Sequence, residues 1–253
     1  MATPPLVIAH RGDSAHRPEN TLVSFAGALE VGAETVEMDV QLTADGHVVV
    51  IHDPTLDRTT TGRGDVRRMT LAEIRAVSAG YPERFGTAYA GERVPTFAEV
   101  LGLIRERARA LVEIKTESVT DDAAGGIEAR VADEVRRAGM ADQVALISFD
   151  QRAVMRLRSI APTIARGRLF GRTTGDEAVG HAREAGCEIV MPHKSQIDAA
   201  LADRVRGAGL KLATWVVDDP QEVKALARFG LYGVGSNVPG VLIDAIAEGL
   251  LVS

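Results

Sequence analysis

Short aliphatic runs alternate with amphipathic stretches along almost the whole chain. Residues 6–10 are mostly apolar, and Leu22, Phe25, Ala26 and Leu29 follow at the i, i+3, i+4, i+7 spacing of one buried helical face. Asn20 stands in an N-cap position and Gly32 where that helix should end. The next run predicts a strand over 35–40. Later runs predict strands over 110–115, 144–149, 164–170, 188–191, 211–217 and 232–236. Helical periodicity falls between them, near 122–138, 150–159, 176–185, 197–208 and 220–228, with a final helix near 239–249. Strands separated by helices at this spacing imply a parallel sheet. Two early and six later strands make eight units, which fit a closed (β/α)8 TIM barrel. The runner-up, an open doubly wound sheet, lacks a glycine-rich G-x-G-x-x-G turn after the first strand.

One run breaks the alternation. Residues 47–52 follow 35–43 after only Ala44-Asp45-Gly46, too short a link for a crossover helix, so an antiparallel hairpin is expected. A two-residue turn at Ala44-Asp45 pairs 43 with 46 and, stepping back, 37 with 52, which sets Glu37 beside His52; a bulge would shift this by one. Residues 53–95 carry many Gly, Arg and Thr with weak periodicity except near 71–77, and read as an inserted cap over one end of the barrel. Thr96-Phe-Ala-Glu99 matches a capping box, so the second barrel helix is expected to start there and run to about Arg107.

The 253 residues carry 29 Lys+Arg against 35 Asp+Glu, a formal charge of −6 without a basic block, which argues against gripping a nucleic-acid backbone. The length is read as a single domain, 1–253, that includes the insertion. With aromatic residues at only 4%, the core must come from Val, Leu, Ile and Ala. No run of ~20 apolar residues predicts a membrane span, and the first residues lack the basic-then-apolar pattern of a signal peptide. The lone cysteine, Cys187, has no internal disulfide partner and fits a reducing compartment, so a cytoplasmic location is expected. The pattern assigns no oligomeric state.

Candidate chemistry sits where strands end, because the carboxyl ends of barrel strands gather at one mouth. Those ends read His10-Arg11-Gly12, Glu37-Met38-Asp39 and Glu113-Ile114-Lys115, and the hairpin adds His52-Asp53. Residues two apart on a strand project from one face, so Glu37 with Asp39 and Glu113 with Lys115 aim three carboxylates and an ammonium at one cavity. Like charges crowded together raise one another's pKa, and a hard divalent cation with oxygen ligands, Mg²⁺ or Ca²⁺, resolves the conflict. Zinc fits less well, since it usually takes His or Cys. His10 and His52 suit proton transfer in both directions. Arg11 and Lys115 suit phosphate oxygens, although Arg11 could instead pair with Glu37 or Asp39. Trp215, the only Trp, ends a strand and is a candidate wall for substrate, with ordinary barrel packing as the alternative; Phe149 is similar. His193 and Lys194 follow a strand and could reach substrate. His16 and His47 are expected to be solvated, and His181 to lie on the surface.

Together His10-Arg-Gly12, Pro18-Glu-Asn-Thr21, Glu37-x-Asp39, Asp45-Gly46 with His52-Asp53, Arg58-Thr-Thr60 and Glu113-Ile-Lys115 resemble the bacterial glycerophosphodiester phosphodiesterases, as do Ser148-Phe-Asp150, Pro192 and Thr214-Trp215. The resemblance runs from about residue 6 to about 240. It implies a (β/α)8 barrel with a small insertion after His52-Asp53, and hydrolysis of glycerophosphodiesters to glycerol 3-phosphate plus an alcohol. It further implies that Glu37, Asp39 and Glu113 ligate one Mg²⁺ or Ca²⁺, that His10 and His52 form the acid–base pair, and that Arg11 and Lys115 hold phosphate. Two positions depart from the family pattern. Ser236-Asn-Val-Pro239 stands where Thr-Asp-x-Pro is usual, which removes a carboxylate, and Thr116 follows Lys115 where Pro is common.

Two other readings share these residues. A lysophospholipase D would use the same catalytic set, with an apolar lining supplied by 53–95, whose Leu56, Val66, Leu71, Ile74, Val77, Tyr81, Phe85 and Tyr89 could equally form a core of their own. A non-catalytic phosphate- or polyol-binding barrel would keep the fold without turnover.

Overall fold

In the computed structural model, described for residues 4–171 and 174–251, eight parallel strands close into a barrel. They are β1 (Leu6–His10), β2 (Thr35–Leu42), β4 (Arg109–Ile114), β5 (Val144–Ser148), β6 (Ala165–Phe170), β7 (Ile189–Pro192), β8 (Lys211–Thr214) and β9 (Gly233–Ser236). Pairing of β1 with both β2 and β9 completes the ring. A short antiparallel strand, β3 (Val48–Val50), attaches to the end of β2.

The helices outside the ring are α1 (Leu22–Glu30), α4 (Phe97–Ile104), α5 (Ile127–Arg137), α6 (Gln151–Ile160), α7 (Gly175–Glu184), α8 (Ala199–Gly207), α9 (Pro220–Ala227) and α10 (Pro239–Ala247). Two short helices, α2 (Leu71–Arg75) and α3 (Pro82–Phe85), lie between β3 and α4. The capping box expected at Thr96 is formed: Thr96 accepts from the Glu99 amide, and the Glu99 carboxylate accepts from the Thr96 amide.

Alternation along the strands separates two kinds of core. Ile8, Leu111, Ala145, Ile147, Leu169, Ile189, Met191 and Ala213 fill the barrel interior. The residues between them, such as Ala9, Met38, Val112 and Leu146, pack outward against the helices. With so few aromatic side chains, this outer layer is made mainly of Val, Leu, Ile and Ala.

Two expectations are corrected. The hairpin pairs Val40 with Val50 and Leu42 with Val48, one residue away from the register expected from a two-residue turn. Its loop holds three residues, Ala44 to Gly46, because Gly46 takes φ +82° and His47 closes onto Thr43. A left-handed glycine in third place is the usual device of a three-residue hairpin. Glu37 is therefore not the cross-strand partner of His52. Second, the α1 cap is Thr21, which accepts from the Ser24 amide. Asn20 has φ +58° and its side chain is used elsewhere.

Residues 53–95 contain α2, α3 and a 3₁₀ turn at Val66–Arg68. Leu56, Val66, Ile74, Ala79 and Val94 form a separate buried cluster with Val49 and Ile51, and Leu71 and Val77 pack against it. Tyr81, Phe85 and Tyr89 stack edge to face.

Candidate active site

Strand register assembles the acidic group. Asp39 of β2 lies directly beside Glu113 of β4, and Glu37 lies beside His10 of β1. All four face inward at the carboxyl end of the barrel. One oxygen each from Glu37, Asp39 and Glu113 lie within 4.8 Å of one another, and all three residues are buried. Oxygens that each sit roughly 2.0–2.6 Å from one cation are at most about 4–5 Å apart, so this spacing admits a single Mg²⁺ or Ca²⁺. Among the described residues, none donates a hydrogen bond to the buried Oδ1 of Asp39, Lys115 Nζ standing 3.5 Å away. An all-oxygen donor set with an orphaned carboxylate oxygen fits a hard cation.

Proton affinities tell the same story. Burial, with Asp39 and Glu113 beside it, pushes Glu37 well above the ordinary carboxylate range. Burial and the Asp39 charge raise Glu113 to about 7, despite Lys115. Burial alone would raise Asp39 too, but Arg11, Lys115 and His52 around it, and the hydrogen bond from Asn20, hold it well below the usual range. A cation among the three would replace the protons that Glu37 and Glu113 otherwise retain.

Arg11 follows the last β1 residue in a left-handed conformation, φ 57°, and the next residue, Gly12, has φ +86°. A Cβ on Gly12 would sit 2.4 Å from Ser24 Oγ and 2.6 Å from the Ser24 backbone, so the turn that presents Arg11 demands glycine. The Arg11 guanidinium lies 2.8 Å from Glu19 Oε1 and 3.2 Å from Asp39 Oδ2. Lys115 Nζ lies 2.7 Å from Glu113 Oε1. Both cations thus sit on the carboxylates, at the edge of the cavity. For Arg11 the pairing with Asp39 weighed from the sequence is the one found.

His10 and His52 line the same cavity although the hairpin register differs from expectation. His10 Nδ1 is 2.8 Å from Asn237 Oδ1, and its Nε2 is 4.0 Å from Glu37 Oε2. Burial and the neighbouring Arg11 charge depress His10 to about 4. His52 Nδ1 is 2.7 Å from Asp53 Oδ1, and burial lowers its pKa as well. Its backbone is held by Gln41, a buried side chain whose amide donates to the carbonyls of Ile51, His52 and Asp53.

The cavity measures about 120 Å³. Its polar half comprises His10, Arg11, Glu37, His52, Glu113 and Lys115; Ile147, Phe149, Leu169, Met191 and Trp215 form the apolar half. Trp215 follows β8, donates from Nε1 to the Met191 carbonyl at 3.2 Å and meets Phe149 edge to face. His193 and Lys194 do not line the cavity: His193 meets the Trp215 ring edge to face, and Lys194 pairs with Glu222 at 2.7 Å. His16 and His47 have largely exposed side chains, as expected of solvated groups, and His181 is only half-buried on α7.

Supporting residues came to light only in the structure. Asn20 brackets Asp39, donating to its Oδ2 and accepting from its amide. Glu19 joins Arg11 to Arg58. Asp218 accepts from Asn237. Glu19, Asn20 and Arg58 lie inside the family motifs, but spacing suggested only a helix cap for Asn20 and nothing for the other two, and no sequence signal marked Asp218.

Residues 10–241 match the pattern of the Glycerophosphoryl diester phosphodiesterase family. The chain belongs to that family. A glycerophosphodiester phosphodiesterase from Caldanaerobacter subterraneus is 37% identical over 246 residues, covering 96% of this chain and 98% of the relative. Among solved structures, a phosphodiesterase from Oleispira antarctica in complex with the product sn-glycerol-3-phosphate superposes with a TM-score of 0.88 at 30% identity, covering 96% of this chain and 97% of the other. A glycerophosphodiester phosphodiesterase from Agrobacterium tumefaciens gives 0.81 at 29% identity, covering 95% and 99%. The barrel described above is thus the glycerophosphodiesterase barrel. Among the described residues, no helix is long and apolar enough to cross a membrane.

Proposed function

We propose that this glycerophosphodiester phosphodiesterase cleaves its substrate by acid–base catalysis between His10 and His52 at a site holding one divalent cation. The enzyme hydrolyses glycerophosphodiesters to sn-glycerol 3-phosphate and an alcohol, as its family membership gives. The observation that carries the mechanism is the common cavity: two imidazoles, the carboxylates of Glu37 and Glu113 and two cationic side chains open onto one small space, with the buried Asp39 beside those carboxylates.

Glu37, Asp39 and Glu113 would hold Mg²⁺ or Ca²⁺, which when bound neutralises charge on a non-bridging phosphate oxygen. Arg11 orients the phosphate with its planar fork, and Lys115 adds a compact positive charge. Neither needs to travel far, since each already borders the cavity through its carboxylate partners. One histidine takes the proton of the attacking hydroxyl, whether from water or from the glycerol 2-position. The other donates a proton to the departing alkoxide, so the alcohol leaves neutral. Water supplies the net hydrogen and hydroxyl of the overall reaction. Trp215 and Phe149 offer an apolar wall for the carbon skeleton of the glycerol.

A small deacylated head group fits this space better than an acyl chain. The apolar lining comes from barrel strands and the residues that follow them, while the apolar side chains of 53–95 are largely occupied with one another. That favours the glycerophosphodiesterase over the lysophospholipase D reading. We further propose that 53–95 caps the mouth as part of one domain spanning the chain: Arg58 reaches Glu19 and Asp53, and Arg84 donates to the Ser14 and Ala15 carbonyls. We propose a cytoplasmic location on the cysteine usage of the sequence, whose one cysteine, Cys187, has no partner for an internal disulfide.

The experiment is a substrate panel with Mg²⁺ or Ca²⁺. Glycerophosphocholine is expected to be turned over and lysophosphatidylcholine to be poor. Preference for the lysolipid would favour the lysophospholipase D, and no turnover of either would favour the binding barrel.

A further inference from the structure

We propose that Asn237, locked in one orientation by Asp218, is a positioning residue that fixes His10 as the tautomer protonated on Nδ1. The inference rests on the reading of His10 as an acid–base group, and goes beyond it by naming what orients the ring and which nitrogen is free to take a proton.

The logic is one of donors and acceptors. Asp218 Oδ1 accepts from Ser236 Oγ at 2.9 Å and from the Asn237 amide at 2.7 Å. Asp218 Oδ2 lies 2.9 Å from Asn237 Nδ2. An ionised carboxylate only accepts, so the edge of Asn237 that faces Asp218 must be its NH₂ group. Its carbonyl Oδ1 is then the edge that faces His10 Nδ1 at 2.8 Å and Ser14 Oγ at 3.0 Å. A carbonyl oxygen also only accepts, so Nδ1 must carry the hydrogen. Nε2, the nitrogen nearer Glu37, is left with its lone pair available.

Position 237 is where this chain departs from the family's Thr-Asp-x-Pro pattern. The amide does not leave the site without a carboxylate. It relays between His10 and Asp218, a carboxylate carried on the loop after β8, one hydrogen bond further out. The neutral amide specifies ring orientation and tautomer, and Asp218 specifies the amide.

This makes Asp218→Asn a sharper probe than deletion. A carboxamide at 218 must keep its oxygen toward the Ser236 hydroxyl and the Asn237 backbone amide, so it turns NH₂ toward position 237. Asn237 must then reverse its amide, offer NH₂ to His10 and force the opposite tautomer. The double variant, Asp218→Asn with Asn237→Asp, transposes the charge and restores the donor–acceptor pattern. Its carboxylate at position 237 accepts both from His10 Nδ1 and from the carboxamide NH₂ at position 218.

Nitrogen-15 spectra of the wild-type protein in its neutral-imidazole range should show His10 Nδ1 as protonated and Nε2 as bare. Asp218→Asn should exchange those signatures and lower kcat about 10- to 100-fold with KM little changed. The double variant should recover the wild-type spectrum and most of kcat. Protonation on Nε2 in the wild type overturns the proposal, whatever the variants do. So does unchanged kcat in Asp218→Asn, or a folded double variant as slow as the single one. His10→Ala retaining full turnover would instead strike the acid–base reading and leave the wild-type tautomer spectrum as expected.

Discussion

Arg58 grips Asp53 through two hydrogen bonds, Nε to Oδ2 at 2.7 Å and Nη2 to Oδ1 at 3.0 Å. The same Asp53 oxygen that takes Nη2 also meets His52 Nδ1, so a side chain from the 53–95 segment sets the partner of a proposed catalytic imidazole. Arg58 also bonds both oxygens of Glu19, which holds Arg11. Its guanidinium is accordingly held firmly in the charged form, chiefly by Glu19 and Asp53. Arg58→Ala is expected to free His52 and Arg11 together. Steady-state kinetics should show kcat about 10- to 100-fold lower, and wild-type kcat would contradict this linkage.

His10→Ala and His52→Ala should each lose about 10²–10⁴-fold in turnover, the typical worth of a positioned acid or base. Circular dichroism should show both variants folded, since neither ring belongs to the apolar core clusters. Near wild-type activity in either would remove that histidine from the pair.

Glu113→Gln should weaken divalent-cation binding by about tenfold or more, because an ionisable oxygen ligand is replaced by a neutral one. Isothermal titration of the metal-free protein is the check. Affinity should also fall as pH drops through about 7 in the wild type: Glu113 is raised to about 7 and must release its proton to bind the cation. Identical affinity in wild type and variant would count against Glu113 as a ligand.

Away from the site, Glu134 on α5 is raised to about 7, mainly by burial, and among the described residues its Oε2 has no hydrogen-bond partner. The folded state thus holds a proton that the unfolded chain, near 4.5, releases. Stability should therefore fall as pH rises from about 4.5 to about 7, and the penalty is complete above the folded value. Glu134→Gln removes it. At pH 8 the variant should gain on the order of 1 kcal/mol, a rise of about 2–4 °C in Tm, and should show no gain near pH 4. Equal melting temperatures at pH 8 would contradict this.

The acidic cluster and the barrel were legible in the sequence because both follow from periodicity. Glu37 with Asp39 and Glu113 with Lys115 share faces by the two-residue repeat, and parallel neighbours put Asp39 level with Glu113. The hairpin register differs by one residue from the expected one because Gly46 admits a left-handed turn, and residue types alone do not decide between that turn and a tighter one. His52 reaches the cavity even so, since Gln41 fixes the backbone beyond β3. The partners of the histidines were harder to read. Asp218 and Asn237 are 19 residues apart on separate loops, and only closure of the barrel brings them together. Arg11 borders the cavity as its place just after β1 suggests, but its hold on Glu19 depends on the loop that Gly12 permits.

The most direct measurement follows sn-glycerol 3-phosphate released from glycerophosphocholine by the purified enzyme, first in excess chelator and then with Mg²⁺ or Ca²⁺ restored. Release should stop in chelator and return with either or both cations. Undiminished release in chelator would contradict a cation held by Glu37, Asp39 and Glu113 as the centre of the chemistry.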